Sequence, residues 1–349
     1  QGWRTRRRFN QIASELAFHR SRVSRAIHSR RHDPQEQEIA YLHALQELVD
    51  ELRARWPHPN GNLPYLVLAG VSFLAYTWLR LRNHFHQSRK LVRIQLLPST
   101  FDANGHATQE QRLTCFLIDD CVAVDAGSIA IALTNEQRST VRDIIVTHPH
   151  MDHIASLPIY IDDLYPTLQQ PIRIHATPEV IGLLERDVFN WNVYPRFSEL
   201  NNDFGPVMEY VPIPEGKPFP VAHLTVTAVA VNHIVPTVGL IVSDGKKSVA
   251  FSSDTAETED FWRKLNEAQH VDALLIEASF PNRMAELAEV SRHFTPASLA
   301  EELKKLNHNG LDIMAVHIKP AYREEIIEQL NALRIPNLKV MEPGKTYDW

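Results

Sequence analysis

Residues Thr147-His148-Pro149-His150-Met151-Asp152-His153 follow directly on the apolar run Asp143-Ile144-Ile145-Val146. Three imidazoles and a carboxylate within six residues, at the end of a strand, aim several nitrogen and oxygen ligands into one small volume. That is the donor set a zinc or similar divalent ion requires. A solvated histidine patch is the bland reading of the same cluster, and it leaves further His and Asp residues downstream unexplained.

Around this motif the chain alternates short Val/Ile/Leu/Thr-rich runs with turn signals and helical periodicity. Strands are expected at Leu91–Leu97, Leu113–Val124, Asp143–Thr147, Ile172–His175, Leu224–Val231, Gly239–Val242, Ser248–Ser252, Ala273–Glu277 and Ile313–His317. Helices fit Pro178–Asn190, Glu259–Asn266, Pro296–Leu306 and Arg323–Arg334. Mixed elements of this kind predict a layered α/β body.

Further stretches follow the motif's pattern in order. Val124-Asp125-Ala126-Gly127 precedes it; Asn232-His233, Phe251-Ser252-Ser253-Asp254-Thr255 and Val316-His317-Ile318-Lys319-Pro320 come after. Together these resemble the metallo-β-lactamase superfamily, whose signature is His-x-His-x-Asp-His. The resemblance implies an αββα sandwich with two divalent metal ions at one sheet edge, zinc first, with manganese or iron(II) as alternatives. Carried over residue by residue, one metal takes His148, His150 and His233, the other takes Asp152, His153 and His317, and Asp254 bridges them. Asp125 then orients a ligand from behind. His175 and His223, in strand-like runs without such context, are read as ordinary packing or surface histidines.

The C-terminal third narrows the resemblance. Leu275-Ile276-Glu277-Ala278-Ser279-Phe280-Pro281-Asn282, Arg292-His293-Phe294-Thr295-Pro296 and His317-Ile318-Lys319-Pro320 are similar to stretches of the class II 3′,5′-cyclic nucleotide phosphodiesterases. Leu113-Thr114-Cys115-Phe116-Leu117 is similar as well. The pattern departs at Ser156 and Arg292, where relatives carry Gly, and at Phe294, where they carry Leu. The resemblance implies hydrolysis of a small-molecule cyclic nucleotide (cAMP or cGMP) by a metal-bridging hydroxide. Asp152 and Asp254 belong to the catalytic set, His293 is the expected proton donor, and Lys319 or Arg283 steadies the phosphate. The alternative is another hydrolase of the same fold, acting on RNA ends, lactones or thioesters.

The N-terminal quarter reads differently. In a chain of 349 residues with formal net charge −6, residues 1–93 hold 16 Lys and Arg against 7 Asp and Glu, and the remainder holds 20 against 35. Helical spacing of apolar residues runs over 9–31 and 36–56, and residues 63–79 carry no charge. The expected division is a helical, Arg-rich region over 1–90 and a catalytic domain over 91–349. Arginine suits anionic partners. A membrane surface is one candidate, met through 63–79, a run just below bilayer-spanning length. DNA is another, met through 12–27, which resembles a helix-turn-helix with Ala17 where Gly is usual. A solvated helical face is the plainer account of the charge. A cytoplasmic location follows from having only Cys115 and Cys121, too few for a disulfide framework although able to pair with each other, and a homodimer is a further expected partner. The 22% charged composition excludes collagenous and disordered classes.

Overall fold

The computed structural model describes residues 92–349. The helices expected over 9–31, 36–56 and 63–79, the helix-turn-helix-like stretch and the division at residue 90 lie outside the described residues. Among the described residues no helix is long and apolar enough to cross a membrane.

Two seven-stranded sheets form the body. The first holds β1 (Arg93–Leu96), β2 (Phe116–Ile118), β3 (Val122–Val124), β4 (Asp143–Ile145) and β5 (Ile172–Ala176). After a short ribbon, β6 (Asn201–Asn202) and β7 (Gly205–Pro206), comes β8 (Met208–Pro212). The second sheet holds β9 (Pro218–Val221), β10 (Leu224–Ala230), β11 (Val238–Ser243), β12 (Ser248–Phe251), β13 (Ala273–Glu277), β14 (Asp312–Val316) and β15 (Leu338–Val340). The final strand β16 (Thr346–Asp348) returns to the first sheet, giving the orders β16-β1-β2-β3-β4-β5-β8 and β15-β14-β13-β12-β11-β10-β9.

Period-two alternation sorts the side chains into three cores. Phe116, Ile118, Val122, Val124 and Ile145 point between the sheets to meet Val226, Leu240, Phe251, Leu275 and Met314. Their neighbours Leu117, Ala123 and Ile144 point outward, where they meet α1 (Ile129–Ala132), α4 (Leu157–Leu164) and α5 (Pro178–Asp187). On the other side Leu274, Ile276, Ile313 and Ala315 pack under α6 (Asp260–Asn266), α8 (Pro296–Glu302) and α9 (Arg323–Ala332). Strands covered on both faces read as continuous apolar runs. The layer order is helix, sheet, sheet, helix.

Leu113–Val124 is not one strand. It folds back as β2 and β3 through Asp119 and Asp120, whose φ values of 49° and 57° are those of a two-residue hairpin turn. Cys115 and Cys121 do not pair; both thiols are free. His223 lies in the turn joining β9 to β10 and not in a strand, and its Nε2 is 2.8 Å from Asp119 Oδ2. His175 is buried on β5 with Nε2 2.8 Å from Asp143 Oδ1.

β3 and β4 run parallel, as do β12, β13 and β14, and β10 shares their direction through the antiparallel β11. Their C-terminal ends emerge at one edge, where ligands of open α/β sheets gather.

Candidate metal centre

Three connections at that edge leave their strands through a left-handed backbone. Asp125 after β3, Ser253 after β12 and His317 after β14 have φ of 60°, 55° and 55°. Such conformations concentrate where a chain must aim a side chain sharply. Gly127 completes the first turn, because a Cβ there would stand 2.0 Å from the Asp152 carbonyl oxygen. That close approach lets Ala126 N–H donate to the His153 carbonyl at 2.7 Å and Thr114 N–H to the Asp152 carbonyl at 2.7 Å. The Asp-Ala-Gly turn is thus seated directly on the histidine motif. Ser156 Oγ donates to the Ala126 carbonyl and accepts the Ala130 N–H, so this serine pins the same turn.

The motif begins after β4 and enters α3 (Met151–Ile154). Buried Asp125 accepts from Thr147 N–H and Oγ1 and from His153 Nδ1, the last at 2.7 Å. Thr147 Oγ1 in turn lies 3.1 Å from His148 Nδ1. His233 Nδ1 donates to the Arg292 carbonyl at 3.1 Å, and His317 Nδ1 lies 2.9 Å from Ser279 Oγ. Each of these four rings has a partner at Nδ1, so its neutral form turns the Nε2 lone pair inward.

Those inward atoms converge. His153 Nε2 and His317 Nε2 are 3.3 Å apart, and His233 Nε2 is 3.2 Å from His150 Nδ1. Asp254 Oδ2 stands 3.6 Å from His148 Nε2, 3.4 Å from His153 Nε2 and 3.5 Å from His317 Nε2. Asp152 Oδ2 is 3.2 Å from His317 Nε2. One potential donor group comprises His148, His150, His233 and Asp254, a second comprises Asp152, His153 and His317, and an overlapping third joins Asp254 and His317 to His293. Among the described residues the buried His148 Nε2 has no hydrogen-bond partner, an orphaned polar atom that a cation would satisfy. With Nδ1 of both rings carrying the proton, the His153 and His317 Nε2 lone pairs would face one another across 3.3 Å, which raises the same demand. The side chains fit a divalent metal.

Charge agrees with geometry at the two carboxylates and at His148 and His233. At His153 burial favours the neutral ring, but Asp254 and Asp125 outweigh it and raise the pKa. Burial disfavours an ionised Asp254, yet His317, His153 and His148 outweigh it and hold its carboxyl well below the usual carboxylate range. Burial likewise opposes ionisation of Asp152, but the hydrogen bond from His317 and the charges of His153 and Lys319 keep it low. Burial pushes His148 well below the ordinary histidine value and takes His233 down to about 4, favouring the neutral imidazoles that metals bind.

Beside the cluster, His293 stacks on His317 with ring centroids 5.6 Å apart, and its Nδ1 lies 2.7 Å from Glu277 Oε1. Burial opposes its charge, but Glu277 outweighs burial and raises its pKa. Glu277, at the end of β13, was not singled out by sequence reading. Its carboxylate is 1% exposed and also accepts from Ser279 Oγ at 2.7 Å and from Thr255 N–H at 2.9 Å. It therefore braces His293 directly and His317 through Ser279. An acidic residue ending a wholly apolar strand, Leu274-Leu275-Ile276-Glu277, was the available signal. Lys319 Nζ is 3.6 Å from Asp152 Oδ2. Arg283 is engaged elsewhere, 3.1 Å from Glu325 and over the Tyr322 ring.

Two face-to-face sheets flanked by helices, with the His/Asp cluster at their common edge, define the metallo-β-lactamase fold. Unliganded yeast PDE1 shares it, with a TM-score of 0.59 at 18% identity over 73% of this chain and 99% of that one. Residues 117–318 match the Beta-lactamase superfamily domain, and the chain belongs to that family. Among curated proteins, one from Yersinia pestis named "Probable 3′,5′-cyclic-nucleotide phosphodiesterase" is 27% identical over 54% of this chain and 60% of its own length. "3′,5′-cyclic-nucleotide phosphodiesterase 1" of Saccharomyces cerevisiae is 24% identical over 58% of this chain and 63% of its own. The matched region thus spans about three fifths of each relative.

Proposed function

We propose that this protein is a metal-dependent phosphodiesterase that hydrolyses 3′,5′-cyclic nucleotides to 5′-nucleotides with two divalent ions, zinc first and manganese or iron(II) as alternatives. The carrying observation is the donor array, divided into two groups about Asp254. The names of the similar proteins from Yersinia pestis and Saccharomyces cerevisiae support the substrate class.

In this reading His148, His150 and His233 would hold one ion and Asp152, His153 and His317 the other, with the Asp254 carboxylate facing imidazoles of both sets. A bound pair supplies an activated water and neutralises the phosphoryl oxygens during in-line displacement. Asp125 and Glu277 keep the imidazole ligands turned inward, so no reorganisation is needed when substrate arrives. His293, kept protonated by Glu277, gives its proton to the departing sugar oxygen. Lys319 adds positive charge on the Asp152 side of the cleft.

Assay of purified, metal-loaded protein against cyclic AMP, cyclic GMP, a lactone panel and a tRNA precursor tests the assignment. Turnover of the cyclic nucleotides is expected; turnover of the lactones alone rejects it. For residues 1–90 we propose a role in meeting an anionic partner, on the arithmetic of 15 Arg among 16 cations in residues 1–93.

A further inference from the structure

Arg292 caps the C-terminus of α7 (Ala285–Ser291) with φ 54°, a left-handed backbone that glycine tolerates far better than any residue with a Cβ. Two reciprocal bonds tie it to His233, 59 residues away in sequence. The Arg292 carbonyl accepts from His233 Nδ1 at 3.1 Å, and the Arg292 guanidinium donates from Nη1 to the His233 carbonyl at 2.6 Å. A carbonyl only accepts, so Nδ1 carries the proton and Nε2 keeps its lone pair, 3.2 Å from His150 Nδ1. Any residue at 292 would offer the carbonyl. Only a long cation closes the clasp from the other side.

We infer that Arg292 is a positioning residue whose guanidinium locks the main chain of His233, directs its ring at His150 and thereby sets how tightly that donor group holds a divalent cation. This rests on the reading of the cluster as a metal centre. A merely structural helix cap would be better served by glycine, so a left-handed arginine at this position of this chain points to the clasp. The same turn carries His293, whose ring is 5.0 Å from that of His233, so the clasp also fixes the spacing of proton donor and ligand.

The test compares wild type, Arg292→Gly and Arg292→Lys after chelator stripping, titrating Zn²⁺ and Mn²⁺ against a chromophoric competitor and recording thermal unfolding of the metal-free proteins. Arg292→Gly is expected to unfold at or above the wild-type temperature, because glycine accepts the backbone, while binding its weaker-held cation about tenfold or more less tightly. Arg292→Lys keeps the charge without the planar fork and is expected to fall between. Wild-type affinity in Arg292→Gly overturns the inference, as does wild-type affinity in Arg292→Lys if the glycine variant fails to fold. A wild-type protein that binds neither cation overturns the metal-centre reading first, and this inference with it.

Discussion

Glu277 Oε1 and His293 Nδ1 lie 2.7 Å apart, with the carboxylate buried at the end of a central strand and the imidazole facing the cluster. The pair places a proton beside the cleft. Glu277→Gln keeps the shape and removes the charge. A fall in kcat of about 10²-fold or more is expected at unchanged metal content, the scale of losing a general acid. Stopped-time assays with elemental analysis of the same sample check it; unchanged kcat removes His293 from the reaction.

Asp254 faces three imidazoles from two sheets at 3.4–3.6 Å. Asp254→Ala should abolish turnover and leave the second ion weakly bound, because the carboxylate that faces imidazoles of both donor groups is gone. Full activity with unchanged metal content would count against the bridge.

Removing metal with a chelator should end activity and lower the melting temperature, with both restored on adding Zn²⁺ or Mn²⁺. A ligand present at 100 times its Kd stabilises the folded state by about 2.7 kcal/mol. Calorimetry of stripped and reloaded protein reads the shift, and identical curves would deny a resident cation.

Part of the acid sensitivity should arise away from the cluster, at Asp143. Burial alone would raise its pKa, but hydrogen bonds from His175 and Arg173 bring it down to about 2. A folded pKa below the unfolded value gives stability that is present above pH about 4 and lost as pH falls through 2, here about 2 kcal/mol. Urea unfolding at pH 6 and pH 3 should show wild type losing more stability than Asp143→Asn over that interval; equal losses would refute the assignment.

Gly127→Ala tests the seat of the motif. Its Cβ would stand 2.0 Å from backbone oxygen of Asp152, an atom that cannot swing aside as a side chain could. Loss of several kcal/mol of stability or failure to fold is expected, measured against Gly182→Ala, where a Cβ meets nothing within 4 Å.

The sequence by itself determined the interior strands and the ligand types. β4, β12, β13 and β14 are buried on both faces or nearly so, which leaves a continuous apolar run, while β10 shows the period-two alternation of a half-exposed strand. Besides the short ribbon β6–β7, the strands it did not show, β8, β9, β15 and β16, are the four edges of the two main sheets. Edges are short and partly solvated, and β9 carries Pro218 and Pro220, so the pattern that marks a strand is absent there. The hairpin at Asp119-Asp120 was hidden because both flanking runs are apolar and the turn depends on backbone dihedrals rather than residue hydrophobicity.

At the site, spacing within Thr147–His153 announced the cluster because all its members lie on one strand-to-helix connection. What joins it to His233, Asp254 and His317 is parallel strand order, which brings distant strand ends to one edge. Only that tertiary arrangement decided that Glu277 braces two histidines, that Arg292 clasps His233 and that Arg283 turns away to Glu325. Hydrogen bonds between residues far apart in sequence leave no local pattern, since each depends on where two separate strand ends finish in space.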